Sequence, residues 1–410
     1  MNQPCPPAHV PEAAVYDFDM FRDPGLLTDP HRRVFDLMKS APPVFWTPRN
    51  GGHWVATSHD AVFQAYRDHE TFSSRLTTNA KAAQLEAFLG AGGPHIPLPT
   101  PINMDPPTHT RFRAPLNPVF SPRAALARRE EVRALANSLI DAVIEKGECD
   151  FISDIAEPLP VQVFLKIMGL PLERQGEFRD LVHQFLAPSD GNPMEGLRRM
   201  RSIADAMKDV FEARRVEAQD DLISLLWKTE IDGKPMTMDL MEDFGVLLFI
   251  AGLDTVINGM GYGIRHLACN PDLQNQLRAD PQRITDAVEE MLRRYTFIVS
   301  TRRVAKDTEL GGFKMKEDDQ LMLYLPAADL DASQFPHPEK FDIDRENKAH
   351  IAFGAGPHRC LGSHLARIEL NVIYEQMLAR LPAFRLDDSK PVKFHAGNIL
   401  GIDSLPLRWN

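Results

Sequence analysis

Apolar residues recur every three to four positions over most of the chain, the period of a helix with one buried face. The pattern predicts helices over residues 30–40, 60–69, 124–146, 160–168, 172–185 and 195–218. Alternating runs predict strands at His53-Trp54-Val55-Ala56-Thr57, from Thr301-Arg302-Arg303-Val304 onward, and at Gln320-Leu321-Met322-Leu323-Tyr324-Leu325, with Leu310-Gly311-Gly312-Phe313 as a turn. Residues 398–407 read as a last hairpin-like segment. The expected fold class is mainly α with a smaller β-rich region of short antiparallel strands. No linker and no internal repeat divides the chain, so one domain over residues 1–410 is expected, with residues 1–15 as a loose, proline-rich tail.

The longest helical pattern runs from 239 to 268 without a proline and predicts one helix of about 45 Å crossing the domain. Its apolar part, Gly245 to Leu253, is bounded by Asp243 and Asp254 and falls far short of a membrane span. Within it, Ala251-Gly252-Leu253-Asp254-Thr255 places a carboxylate and a hydroxyl in an otherwise apolar interior. A buried acid is costly unless paired or hydrogen-bonded. Thr255 is positioned to bond back to the Ala251 carbonyl, and Gly252 lets the helix open locally. The plainer reading of such a pentapeptide is the polar edge of an amphipathic helix.

A second helical pattern, Leu361, Leu365, Ile368 and Val372, follows Phe353-Gly354-Ala355-Gly356-Pro357-His358-Arg359-Cys360-Leu361-Gly362. A helix is expected to begin at Cys360, with its N-terminal N–H groups and dipole stabilising a thiolate, and with Gly354, Gly356 and Gly362 allowing close backbone approach. An isolated buried cysteine is more often inert. With no neighbouring Cys or His at zinc spacing, Cys360 cannot hold a bare ion alone, but it can supply the one protein ligand a macrocycle-bound iron needs.

Composition narrows the functional classes. The net charge of −11 argues against nucleic acid as a partner, and four scattered cysteines fit a reducing compartment without disulfides. No basic start followed by an apolar signal segment is present, so a cytoplasmic protein with no membrane association is expected. From 75 to 104, and densely from Gly90 to Pro101, periodicity fails, which marks a loop over a pocket or a surface insertion. His109 and Arg113 share a helix face by spacing, and Glu290 and Arg293 can pair on another.

Taken together, F-G-x-G-x-H-x-C-x-G at 353–362, A-G-x-D-T at 251–255, E-x-x-R at 290–293 and H-x-x-x-R at 109–113 resemble the cytochrome P450 family, in that family's order. The likeness is greatest to bacterial class I enzymes of the camphor 5-monooxygenase type, through Gly252-Leu253-Asp254-Thr255-Val256 with Asn258, Met104-Asp105-Pro106-Pro107, and Leu405-Pro406-Leu407. The resemblance implies haem b with Cys360 as axial ligand, held also by Phe353, Gly354, Gly356, Gly362 and Gly252, under the long central helix. His109, Arg113, Arg302 and His358 would meet the propionates. Asp254 and Thr255 would relay protons, and the Glu290 and Arg293 pair would support the cysteine loop. The family often adds an arginine where this chain has Lys340; Arg345 is the other candidate for that contact.

The implied reaction is hydroxylation of a small hydrophobic substrate with O2 and two electrons from an iron–sulfur ferredoxin served by an NADH-dependent reductase, in a monomeric bacterial protein. Arg111, Arg113 and Arg359 would face an acidic ferredoxin. Camphor itself does not fit, because the tyrosine that holds its ketone is absent and Pro97 takes that place by alignment. Leu247, Ile250, Ile298, Asn398 and Ile399 align with pocket positions, with Asn398 as the polar handle, and suggest a terpenoid or norisoprenoid. The alternatives are a peroxide-dependent hydroxylase and a non-catalytic haem-thiolate sensor.

Overall fold

The computed structural model describes residues 5–76, 95–186 and 193–409. Helical periodicity places most helices correctly, since the stripes it marks are the faces that become buried. Pro30–Ser40 is such a case: Asp29 accepts from the Arg32 amide, proline fills the first turn, and Val34 and Leu37 are fully buried. The 124–146 pattern resolves into two helices, Pro122–Ala127 and Arg129–Ile144.

The long helix expected over 239–268 is likewise two, Met238–Gly252 and Asp254–Cys269, meeting at Leu253 with φ −102° and ψ −70°. The break has a local cause. The Thr255 hydroxyl donates to the Ala251 carbonyl at 3.0 Å, and the Asn258 amide donates to the Asp254 carbonyl at 2.9 Å, so side chains compete with the backbone for the acceptors. Asp254–Cys269 lies against Ser363–Arg380, where the Tyr374 hydroxyl donates to the Gly259 carbonyl at 2.9 Å.

The strand region is larger than the sequence suggests. Five strands pair in the order Val44–Thr47, His53–Ala56, Gln320–Tyr324, Val299–Val304, Phe72–Ser73. The His53–Ala56 and Gln320–Tyr324 pair is parallel, against the expectation of an antiparallel sheet throughout, because the two strands are joined through most of the chain and not by a hairpin. Gly311 and Gly312, with φ 58° and 84°, close the Thr308–Leu310 and Phe313–Met315 hairpin. Near the C-terminus, Gly401–Ser404 pairs with Lys393–His395, and Pro406–Trp409 runs between Phe384–Leu386 and Glu148–Asp150.

The described part of the N-terminal tail is not loose. Val10 and Ala14 are buried, Val15 bridges to Trp46, and His9 meets Asp319 at 2.8 Å, so the segment covers the sheet-side core around Val44, Trp46, Trp54 and Tyr66. A larger core joins the helices around Phe244, Tyr262, Met291 and Tyr374. Among the described residues, no helix is long and apolar enough to cross a membrane.

Candidate active site

The loop before Ser363–Arg380 is shaped by backbone demands that only glycine meets. Gly354 and Gly356 have φ 68° and 65°, and a Cβ on Gly356 would lie 2.4 Å from the Tyr66 carbonyl oxygen. The Cys360 amide donates to the Phe353 carbonyl at 2.8 Å and closes the loop. Gly362 differs: its φ is −79°, and a Cβ there would meet nothing within 4 Å. Gly252 on the distal helix faces the same kind of open space.

Cys360 stands three residues before the helix, not at its first residue, so the expected stabilisation of a thiolate by the helix terminus is weaker than the spacing implied. Burial pushes its thiol up, opposed by the Gly362 backbone and by the charges of Arg113, Arg367 and Arg359. The residue nonetheless has accessible surface. That surface lines an interior recess instead of bulk water, so the thiol is desolvated and accessible at once. Ala251 and Gly252 show the same thing, being exposed in the middle of the molecule between buried Phe249 and buried Leu253.

Four nitrogen-bearing side chains converge beside the cysteine loop. His109 and His358 have ring centroids 4.0 Å apart, and Arg302 and Arg113 act electrostatically on both. Burial, reinforced by those neighbouring cations, lowers His109 to about 4 and His358 to about 3. His109 Nδ1 and His358 Nε2 are buried without a hydrogen-bond partner among the described residues. Arg302 is 7% exposed and, among the described residues, donates only to the carbonyl of its neighbour Thr301, at 2.8 Å. Arg113 donates to the Arg359 carbonyl at 2.6 Å.

The nearby Asp105 acts on His109 and Arg302 through its charge but hydrogen-bonds neither, since its oxygens accept from Ser73 Oγ at 2.5 Å and the Ser74 amide at 2.8 Å. Two guanidiniums and two imidazoles, none hydrogen-bonded to a carboxylate among the described residues, suit a bound dianion. A flat dicarboxylate macrocycle with a thiolate-ligated metal fits this donor set and the open space at Gly252 and Gly362.

On the distal side, Asp254 is 7% exposed. Its Oδ1 accepts from Asn258 at 2.9 Å, while Oδ2 has no partner among the described residues. Burial raises its carboxyl to about 6, which poises it to hold and release a proton near neutrality. Thr255 lies one residue on and is partly exposed to the recess.

Of the expected pocket residues, Ile250, Ile298 and Ile399 are half-buried positions among buried ones, with Ile298 bridged to Ile399, while Leu247 is buried. Asn398 is exposed, and its carbonyl accepts from the Val299 amide at 2.8 Å. Of the 75–104 loop, residues 77–94 lie outside the described residues. Its far end is clasped to the distal helix at Asp243, which accepts from His95 Nε2 and the Leu98 amide, each at 2.9 Å. Pro97 is buried in that clasp.

Glu290 and Arg293 form a fully buried bidentate pair at 2.8 and 2.9 Å. Arg345, not Lys340, supplies the third contact; Lys340 contributes its carbonyl, and its ammonium faces Asp342 in solvent. Two anchors of the loop were not found from the sequence. Asp329, buried, accepts from the Ile351 amide and Thr296 hydroxyl. Glu289 binds Arg367 and His350, with Arg367 4.6 Å over the Phe353 ring. An acid next to Glu290 in E-E-x-x-R was the only signal for the second.

Comparison with known proteins gives a consistent result. A family model described as cytochrome P450 matches residues 178–407. The chain is 36% identical over 416 residues to a probable cytochrome P450 127A1 of Sinorhizobium fredii, covering 98% of this chain and 96% of that one. It is 35% identical to a steroid C26-monooxygenase of Mycolicibacterium smegmatis, with 92% of each chain covered. The crystal structure of cytochrome P450 CYP101C1 superposes with a TM-score of 0.88 at 32% identity, over 99% of this chain and 100% of that one.

Proposed function

The chain belongs to the cytochrome P450 family, whose members are haem-thiolate monooxygenases, and from that premise we propose that it hydroxylates a small, mostly aliphatic substrate of terpenoid or norisoprenoid type. Two electrons would come from an iron–sulfur ferredoxin. The balance is R–H plus O2, two electrons and two protons, giving R–OH and water. When bound, the haem supplies O2 activation and C–H oxidation, chemistry for which no side chain here is equipped.

The observation that carries the reading is an accessible cysteine beside two buried and two half-buried nitrogen-bearing side chains, none hydrogen-bonded to a carboxylate among the described residues. Cys360 would ligate the iron, and coordination would remove the proton that burial otherwise retains on its sulfur. His109, Arg113, Arg302 and His358 would hold the two propionates, which supply the carboxylate partners they lack among the described residues. Phe353, Gly354, Gly356, Gly362 and Gly252 would border the macrocycle. Glu290 and Arg293 would keep the cysteine loop in register through Asp329 and Arg345.

Asp254 and Thr255 would hold and pass the two protons. A poised acid with a free oxygen supports an O2-consuming reaction over a peroxide-driven one or a sensor, since neither of these needs proton delivery. Leu247, Ile250, Ile298 and Ile399 offer aliphatic contact and would exclude water, and Asn398 would orient a substrate hydroxyl or carbonyl. The relative named for steroid oxidation accords with a hydrocarbon substrate without fixing its size.

The test is the carbon monoxide difference spectrum of the dithionite-reduced protein, wild type against Cys360→Ala. A strongly red-shifted Soret band that disappears in the variant is expected, and terpenoids would then be screened for a spin-state shift. A band at the histidine-ligated position in wild type, or failure to take up haem, would overturn the proposal.

A further inference from the structure

Asp254 is buried, and a histidine–aspartate pair that acts on it electrostatically sits on the hairpin to which it is tied. Asn258 takes Asp254 Oδ1 with its amide nitrogen and, with its amide oxygen, accepts from the Ile402 amide at 2.8 Å, which ties the acid to the Gly401–Ser404 strand. The next residue on that strand is Asp403, and its Oδ1 lies 2.6 Å from His395 Nδ1 on the paired strand. Gly401 makes room for the imidazole, since a Cβ there would fall 2.0 Å from the ring. The side chains of His395 and Asp403 are 33% and 50% exposed, so the pair reaches water while Asp254 does not.

We propose that His395, held by Asp403, is the solvent-side proton supply of Asp254; this rests on the reading of Asp254 as a proton donor. His395 is a positioning residue that touches neither substrate nor cofactor and acts through the acid. With Nδ1–H committed to Asp403, Nε2 is the nitrogen that gains a proton from water and loses it toward Asp254. Each transfer converts imidazolium and carboxylate into neutral imidazole and carboxylic acid, and water restores the imidazolium. Asp403 holds the ring and is unchanged by the transfer.

The charges facing the ring agree with this role. Asp403 and Asp254 both favour imidazolium and together outweigh the desolvation that opposes it, so His395 titrates above its ordinary value. Reciprocally, His395 is the largest influence lowering Asp254 against its burial. Of the remaining charges near this hairpin, Arg265 covers the Phe394 ring at 5.4 Å and Lys393 is exposed on the same strand.

The test follows the His395 ring by NMR titration in the reduced, carbon monoxide-bound holoprotein, together with NADH-driven oxygen reduction in H2O and D2O using a ferredoxin and its reductase. Asp254→Asn and Asp403→Asn should each lower the His395 titration point. His395→Gln should slow oxygen reduction by about tenfold, enlarge the solvent isotope effect and flatten the loss of rate at high pH, with the thiolate–haem spectrum unchanged. A His395 titration indifferent to Asp254→Asn, or a His395→Gln enzyme with wild-type rate and isotope effect, would overturn the proposal. Should His395→Gln fail to fold, Asp403→Asn carries the same kinetic comparison with the ring in place. Loss of the thiolate spectrum in wild type would count against the haem reading instead.

Discussion

Arg345 Nε lies 3.2 Å from both carboxylate oxygens of Glu290, a residue with no solvent exposure, and so closes a buried triad whose other cation is Arg293. Without Arg345, Glu290 keeps the charge of Arg293 but loses charge-assisted hydrogen bonds, at a cost of about 1.5–3 kcal/mol. Arg345→Met is expected to destabilise the protein by about that amount and to impair haem retention, while Lys340→Ala shifts stability by less than about 0.5 kcal/mol. Thermal unfolding with haem content measured in parallel checks both.

The Asp254 carboxyl, raised to about 6 by burial, carries a signed pH dependence. Between its ordinary value near 3.8 and 6, the folded state binds the proton and the unfolded state does not, so stability falls as pH rises through that window and is flat above it. Asp254→Asn should therefore stabilise the fold at pH 7, by up to about 3 kcal/mol. Product formation should drop in the same variant. Denaturant titrations at pH 4 and pH 7 and product yield per NADH are the measurements.

His109 and His358 carry the opposite sign. Both are lowered, to about 4 and about 3, so below pH 6.5 the unfolded chain gains protons that the folded one refuses, and stability falls as pH drops toward 4. Bound propionates would favour the charged imidazoles and raise both groups. The haem-free protein should accordingly lose more stability than the loaded protein between pH 7 and pH 5, as followed by unfolding at each pH.

The proximal basic surface is less charged than three arginines imply. Arg111 pairs with Asp232 at 3.1 Å, and Arg113 turns inward to the Pro357 and Arg359 carbonyls, which leaves Arg359 exposed and without an ion-pair partner among the described residues. Arg359→Glu should slow electron transfer from an acidic ferredoxin by about tenfold without changing substrate affinity. Asp232→Asn should speed it at low salt. Stopped-flow reduction at two ionic strengths distinguishes these outcomes.

The chemistry was legible in the sequence because it is written in residue types that have few other uses. A lone cysteine among three glycines, an acid and a hydroxyl inside an apolar run, and an acid and arginine three apart can each be found by spacing, since local geometry follows sequence separation. Helices followed for the same reason: period and buried face coincide in Pro30–Ser40 and Ser363–Arg380. What the sequence left open was set by contacts between residues far apart in the chain. The partner of Glu290 was decided by which long side chain folds back over it, 55 positions on. The parallel pairing of His53–Ala56 with Gln320–Tyr324 joins segments whose separation no local pattern records. The upward push on the Cys360 thiol depends on desolvation, which exists only once the chain has folded. His395 and Asp403 look like an unremarkable hairpin pair in the sequence, and only the Asn258 bond to Ile402 brings them to the buried acid.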